Sequence, residues 1–177
     1  YMALDELPGP IGDGRRIGFF PGSTIGNLVP EEAVLFLKRA RRLLRAHGAL
    51  VLGVDLKKDP RKLHEAYNDR AGVTARFTLN LLRRMNRELE ANFDLSAFAH
   101  DASYNESSGR IEIYVRSLRD QVVVVSGRRF QFTEGERIHT EYSYKYDDED
   151  IAELARRGGF SIAALWTDPE RLFAVAF

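Results

Sequence analysis

Between Arg16 and Asp55 the sequence reads strand, helix, strand, and this order narrows the fold more than any other feature. Arg16-Ile-Gly-Phe-Phe20 is a short apolar run stopped by Pro21, the mark of a buried strand. Pro21-Gly-Ser-Thr-Ile-Gly-Asn27 is a turn-rich loop. Pro30 stands where the first turn of a helix accepts proline, and Glu31 and Glu32 suit its positive end. Val34, Leu37, Ala40 and Leu44 recur at helical spacing with Leu43 beside them, and His47-Gly48 closes the helix with a C-terminal glycine. Ala49-Leu-Val-Leu-Gly-Val-Asp55 is apolar nearly throughout, as strands buried on both faces are. A βαβ unit of this kind belongs to a parallel sheet covered by helices.

The middle of the chain changes character. Pro60 to Asp69 reads as a helix, and Val73 to Ala91 as a longer one with Phe77, Leu81, Met85 and Leu89 on one face and Leu82 beside it. Arg110–Ser117, Gln121–Ser126, Arg128–Thr133 and Arg137–Tyr146 read as strands, with turns at Asn105-Glu-Ser-Ser-Gly109 and Ser126-Gly127. These imply an antiparallel sheet inserted into the α/β domain. The tail returns to α/β. Asp147–Arg157 is a helix ended by Gly158-Gly159, and Phe160–Trp166 and Arg171–Phe177 are apolar strands. Their link, Thr167-Asp-Pro-Glu170, is too short for a crossover helix, so that pair is antiparallel.

Composition excludes several classes. The 177 residues hold 26 basic and 26 acidic side chains, which is not the balance of a broad nucleic-acid surface. No apolar run reaches the ~18 residues of a membrane span. The absence of cysteine excludes disulfides, thiolate zinc sites, iron–sulfur ligation and thiol nucleophiles. The histidines show no metal spacing, so no metal is expected. Residues Tyr1 to Gly14 lack the basic start and apolar stretch of a signal peptide, and the expected compartment is the cytoplasm. The opening from Leu7 to Gly14 reads as loop. Gly12-Asp-Gly14 is the only G-x-G, with no strand before it and no third glycine; it reads as a plain turn. Only two parallel strands precede the insertion, too few for a sheet covered on both faces. The sequence therefore reads as the C-terminal part of a larger protein.

Candidate chemistry gathers where strands end. Asn27 follows a strand and a glycine-bearing turn, where open α/β folds bind ligands, as do the Gly22 and Ser23 backbones. Asn27 equally suits a cap for the turn or the next helix. Asp55 ends the second strand in the same ligand-facing location, and the plainer reading is a cap for the helix that follows. Tyr67 offers either a hydroxyl for a carboxylate or simple packing. Along Thr140-Glu-Tyr-Ser-Tyr-Lys-Tyr146, residues two apart share a face, so Glu141, Ser143 and Lys145 align opposite Tyr142, Tyr144 and Tyr146. Glu141 and Ser143 could together hold a polar ring such as imidazole; the plainer reading is an exposed polar face over a tyrosine core.

Several of these stretches carry a resemblance. Phe19-Phe-Pro-Gly-Ser-Thr-Ile-Gly-Asn27, Gly53-Val-Asp-Leu-Lys-Lys-Asp59, Ala66-Tyr-Asn-Asp69 and Gly72-Val-Thr-Ala75 come in that order. Leu79-Asn-Leu-Leu82, Asn86-Arg-Glu-Leu89, Thr140–Tyr146 and Trp166-Thr-Asp168 follow. Together they resemble the histidine-specific Nα-methyltransferases of ergothioneine biosynthesis. The resemblance implies transfer of methyl groups from S-adenosylmethionine to the α-amino group of histidine, ending at the trimethylated betaine. It implies an α/β fold: the C-terminal part of a class I, Rossmann-like methyltransferase sheet (residues 1–56 and 147–177) ending in the antiparallel hairpin. Residues 57–146 would be an inserted α+β substrate-binding domain.

The same resemblance implies residue roles. Asn27 and the Gly22 backbone would meet the amino-acid end of the substrate, Tyr67 its carboxylate, and Glu141 and Ser143 the imidazole. Ile113 stands where relatives can carry a methionine near the substrate. No residue is an obvious general base. The family's cofactor loop, acidic ribose ligand and a further substrate tyrosine would precede this chain, which is therefore expected to be inactive alone. The other readings are a relative acting on another amino acid or an aromatic amine, and a non-catalytic amino-acid-binding module.

Overall fold

The computed structural model describes residues 14–177; of the loop expected at 7–14 and the G-x-G turn at 12–14, all but Gly14 lies outside the described residues. The chain divides into two compact units. The first takes in the chain up to Lys58, Ser107–Arg110 and Tyr142–Phe177, and the second Asp59–Glu106 and Ile111–Glu141.

In the first unit, β1 (Ile17–Phe20) runs parallel to β2 (Ala49–Asp55), with Ile17 opposite Ala49 and Phe20 opposite Leu52. The connection is α1 (Pro30–Leu44), which buries Val34, Leu37 and Leu44 as their spacing requires, and Ala33 and Phe36 as well. The strands expected at the tail are present but shorter. β9 (Phe173–Ala176) lies antiparallel to β2, and β8 (Leu165–Thr167) antiparallel to β9. The sheet order is β1-β2-β9-β8, a mixed sheet that closes in the antiparallel hairpin. Phe160–Ala164 pairs only irregularly, through Ala163 N–H to the Phe177 carbonyl and Phe177 N–H to that of Ala164. Between β7 and β8 runs α4 (Asp148–Gly158), where β7 is Arg137–Tyr144. Asp147 opens α4 with a reciprocal cap: its carboxylate accepts from Asp150 N–H at 2.9 Å, and Asp150 accepts from Asp147 N–H at 3.0 Å. Ile25, Leu37, Val54, Ile151 and Ala174 are at most 1% exposed and form the centre of the core.

One expectation about α1 fails. Gly48 does not end the helix; α1 stops at Leu44, and Arg45 takes the turn at φ 65°. Gly48 is required by space: a Cβ there would stand 2.3 Å from the Leu44 carbonyl oxygen.

The second unit holds α2 (Pro60–Tyr67) and α3 (Val73–Glu88), then β3 (Phe98–Asn105), β4 (Arg110–Ser117), β5 (Gln121–Val125) and β6 (Arg128–Phe132). The strands do not make one sheet. β3, β4 and β7 form a sheet in that order, and β5 and β6 a separate antiparallel hairpin. β3 escapes sequence reading because Phe-Ala-His-Asp-Ala-Ser-Tyr-Asn carries no β-branched residue, and only Phe98 and Ala102 are buried. The long helix is also turned from its expected face. Phe77, Leu81 and Leu89 are exposed, Phe77 by 73%, while Thr78 and Leu82 are buried. Leu82 packs with Phe93, Phe98, Val115 and Val123, and Leu79 and Met85 lie partly buried against that cluster. Among the described residues no helix is long and apolar enough to cross a membrane.

Candidate functional site

In the first unit the site begins at the carboxyl end of β1. Gly22 and Ser23 both take left-handed backbone angles, φ 71° and 56°. Glycine does so freely; serine does so at a cost, held by its surroundings. Ser23 Oγ accepts from Asp55 N–H at 2.8 Å, and the Ser23 carbonyl from Gly26 N–H at 2.8 Å. Part of the expected loop is thus wound into a 3₁₀ turn, Thr24–Asn27, with Ile25 completely buried beneath it. Gly26 lies against the backbone of Tyr144, where a Cβ would stand 2.8 Å from the carbonyl oxygen. Asn27, at the end of this clamped turn, is exposed. It does not cap α1, whose N-cap is Val29, and among the described residues its amide has no hydrogen-bond partner.

Behind the turn sits a compact ion cluster. Lys145, just past β7, is 3% exposed. Its Nζ donates to Ser143 Oγ at 2.7 Å and pairs with Asp55 Oδ2 at 2.8 Å. Lys58 pairs with the other Asp55 oxygen and donates to the Leu172 carbonyl at 2.8 Å. Asp55 is therefore no helix cap; Asp59 caps α2 by accepting from Arg61 N–H at 2.8 Å. Ser143, 7% exposed, is also not on an open polar face. Burying a lysine and a carboxylate is costly unless their bonds are well made, and here both carboxylate oxygens and two lysines are engaged. Lys145 carried no assigned role in the sequence, although it shares a strand face with Ser143 and has an opposite charge at the end of β2. Opposite it, Tyr146 joins the core and burial pushes its hydroxyl pKa well above the usual tyrosine range. Arg110 donates to Tyr144 Oη at 2.6 Å and lies over the Tyr142 ring at 3.8 Å.

In the second unit, Tyr67 is the last residue of α2 and packs on the cluster of Leu63, Ala102, Ile111 and Ile113. His100 Nε2 donates to its carbonyl oxygen at 2.8 Å. The two residues after it are anchors. Asn68 donates to the Ala102 and His64 carbonyls, each at 3.1 Å. Asp69 accepts from Thr74 N–H and Val73 N–H, both at 2.8 Å, which together hold its carboxyl down at about 2. Ile113 is 5% exposed. Its carbonyl accepts from Thr140 Oγ1 at 3.0 Å, and Glu141 is the next residue on β7, half-buried. The second unit thus brings Tyr67 and Ile113 into one apolar cluster and sets Ile113 beside Thr140. His100, which anchors the end of α2, was missed because an isolated histidine in a polar strand has no motif.

One family model and three relatives match this chain. The family model described as histidine-specific methyltransferase, SAM-dependent, matches residues 1–177. The histidine N-alpha-methyltransferase of Mycolicibacterium smegmatis is 41% identical over 92% of this chain and 51% of its own length. That of Mycobacterium tuberculosis is 44% identical over 93% of this chain and 51% of its own. Ergothioneine biosynthesis protein 1 of Neurospora crassa is 31% identical over 82% of this chain and 17% of its own. The chain spans about half the length of the two bacterial relatives.

Proposed function

The chain belongs to the histidine-specific, S-adenosylmethionine-dependent methyltransferase family, and from that premise we propose that the protein carrying it methylates the α-amino group of L-histidine toward the trimethylated betaine. The roles follow the family pattern. Asn27 and the Gly22 backbone meet the amino-acid end of the substrate, and Tyr67 its carboxylate. Glu141 and Ser143 hold the imidazole, and Ile113 shapes the pocket. The observation that carries this reading is Asn27: an exposed amide with no partner among the described residues, fixed at the carboxyl end of a sheet strand by a strained and doubly clamped turn.

S-adenosylmethionine supplies an electrophilic methyl when bound. After β1 the described chain has a 3₁₀ turn and then α1, with no glycine-rich strand–turn–helix, so none of the assigned residues is given to the cofactor. The residues of this chain orient the substrate. The amine must present a neutral lone pair in line with the methyl carbon, and it loses one proton per transfer. Holding that geometry and excluding water is the main catalytic contribution expected of such a site. A pocket that hydrogen-bonds the imidazole discriminates against apolar side chains by as much as about 10⁴-fold, because its polar groups would otherwise be left buried and unpaired.

The test is a mass-spectrometric methylation assay on the complete reading frame, with S-adenosylmethionine and an equimolar panel of amino acids. Mass gains of one to three methyls on histidine alone, reduced by Asn27→Ala and by Glu141→Ala, support the reading. Methylation of a different amino acid, or none, overturns it.

A further inference from the structure

β1 leaves the sheet at Phe20, opposite Leu52, whereas β2 runs on to Asp55. The Asp55 N–H lies beyond the last β1 partner, and a side chain takes it instead: Ser23 Oγ accepts at 2.8 Å. The anchor is firm, because the Asp55 carboxylate is itself held by Lys145 and Lys58. Two further contacts seat the turn through backbone alone. A Cβ on Gly53 would stand 3.1 Å from Gly22 N, and one on Gly26 2.8 Å from the Tyr144 carbonyl oxygen. Those two approaches limit where the turn can lie; the hydroxyl bond is directional and sets its register on β2. All of these residues belong to the first unit.

The backbone at residue 23 shows that the hydroxyl matters. At φ 56° a residue with a Cβ is disfavoured, while glycine takes the same angles freely. The Ser23 side chain therefore destabilises its own backbone, and what it contributes is the bond to Asp55. Strain held in this way by its surroundings belongs to sites where geometry is fixed for a purpose. Four residues on, at the end of the same turn, is the exposed Asn27.

We propose that Ser23 is a positioning residue for substrate binding: its hydroxyl, bonded to the Asp55 N–H, fixes the Thr24–Asn27 turn so that the Asn27 amide is presented to the amino-acid end of the substrate. The inference rests on the Asn27 contact proposed above.

The test uses the complete reading frame, with kcat/KM for histidine and the melting temperature measured for Ser23→Ala, Ser23→Gly, Asn27→Ala and Ser23→Gly with Asn27→Ala. Both Ser23 variants lose the hydroxyl, so each is expected to lower kcat/KM about three- to tenfold, the worth of one hydrogen bond. They should differ in stability. Alanine keeps the strain and should melt lower, whereas glycine relieves it and should melt close to wild type. On the Asn27→Ala background Ser23→Gly should have almost no further effect. A Ser23→Gly variant with wild-type kcat/KM overturns the positioning role, as does a loss that persists in full once Asn27 is alanine. A Ser23→Gly melting temperature as low as that of Ser23→Ala assigns the hydroxyl to stability and also overturns it. Wild-type kcat/KM in Asn27→Ala alone overturns the Asn27 contact, and with it this inference.

Discussion

Gly26 and Tyr144 are in contact through backbone alone: a side chain at residue 26 would begin 2.8 Å from the Tyr144 carbonyl oxygen and 3.3 Å from its nitrogen. This close approach seats the Thr24–Asn27 turn against the strand that carries Ser143. Gly26→Ala must move either the turn or the strand end. The expected cost is about 1–3 kcal/mol, read by denaturant unfolding. Histidine turnover by the complete reading frame should fall with it, because Asn27 sits on the displaced turn. Unchanged stability and turnover would show that the contact is not tight.

Asp55→Ala removes the counter-charge of a buried lysine. Lys145 keeps its bond to Ser143 but loses the carboxylate at 2.8 Å. Breaking one side of a buried pair costs about 3–5 kcal/mol, and the 21% exposure of the aspartate side chain argues for the lower figure. Thermal unfolding checks this, and Asp55→Asn, which retains a hydrogen-bonding group, should cost less than alanine.

Asp69 makes the second unit sensitive to acid. Its carboxyl is held at about 2, below the ordinary 3.8, by backbone N–H groups of α3. A depressed folded-state pKa contributes stability that is present above the unfolded value and lost as pH falls. The contribution is therefore complete at neutral pH and fades between about 4 and about 2. Asp69→Asn should lower the melting temperature at pH 7 and differ little from wild type near pH 2. A gap that is independent of pH would show that the carboxylate charge is not what caps the helix.

Leu82→Ala should be the more damaging of two neighbouring changes on α3. Leu82 is fully buried among Phe93, Phe98, Val115 and Val123, whereas Leu81 is 40% exposed. Truncating the buried leucine costs about 2–5 kcal/mol; the same change at Leu81 should cost a small fraction of that. Hydrogen exchange along α3 and β3 distinguishes them, since only the first should speed exchange of core amides.

Local pattern located the elements well where one signal dominates. The βαβ start, the end of α4 and the terminal hairpin follow from Pro30, from Gly158-Gly159, and from a link too short to cross over. The face of α3 is ambiguous in the sequence because its apolar residues form two overlapping stripes, and only partners such as Phe93, Phe98, Val115 and Val123 choose between them. β3 was missed because its strand signal is two buried residues in eight. Asn27 was placed by its position after a strand, but whether it caps or remains available depended on Val29 taking the N-cap.

The order of elements, the mixed class of the sheet and the residue types available at its carboxyl edge are legible in the chain before it folds. Those follow from local preference and from periodicity, which act over a few residues. Folding alone makes Asp55 pair with a lysine 90 residues away instead of capping its own helix, buries Ser143 as the acceptor of that lysine, and leaves no room for a side chain at Gly26. Each depends on a contact between segments distant along the chain. Its energy comes from desolvation and close packing, which have no value until the chain has folded.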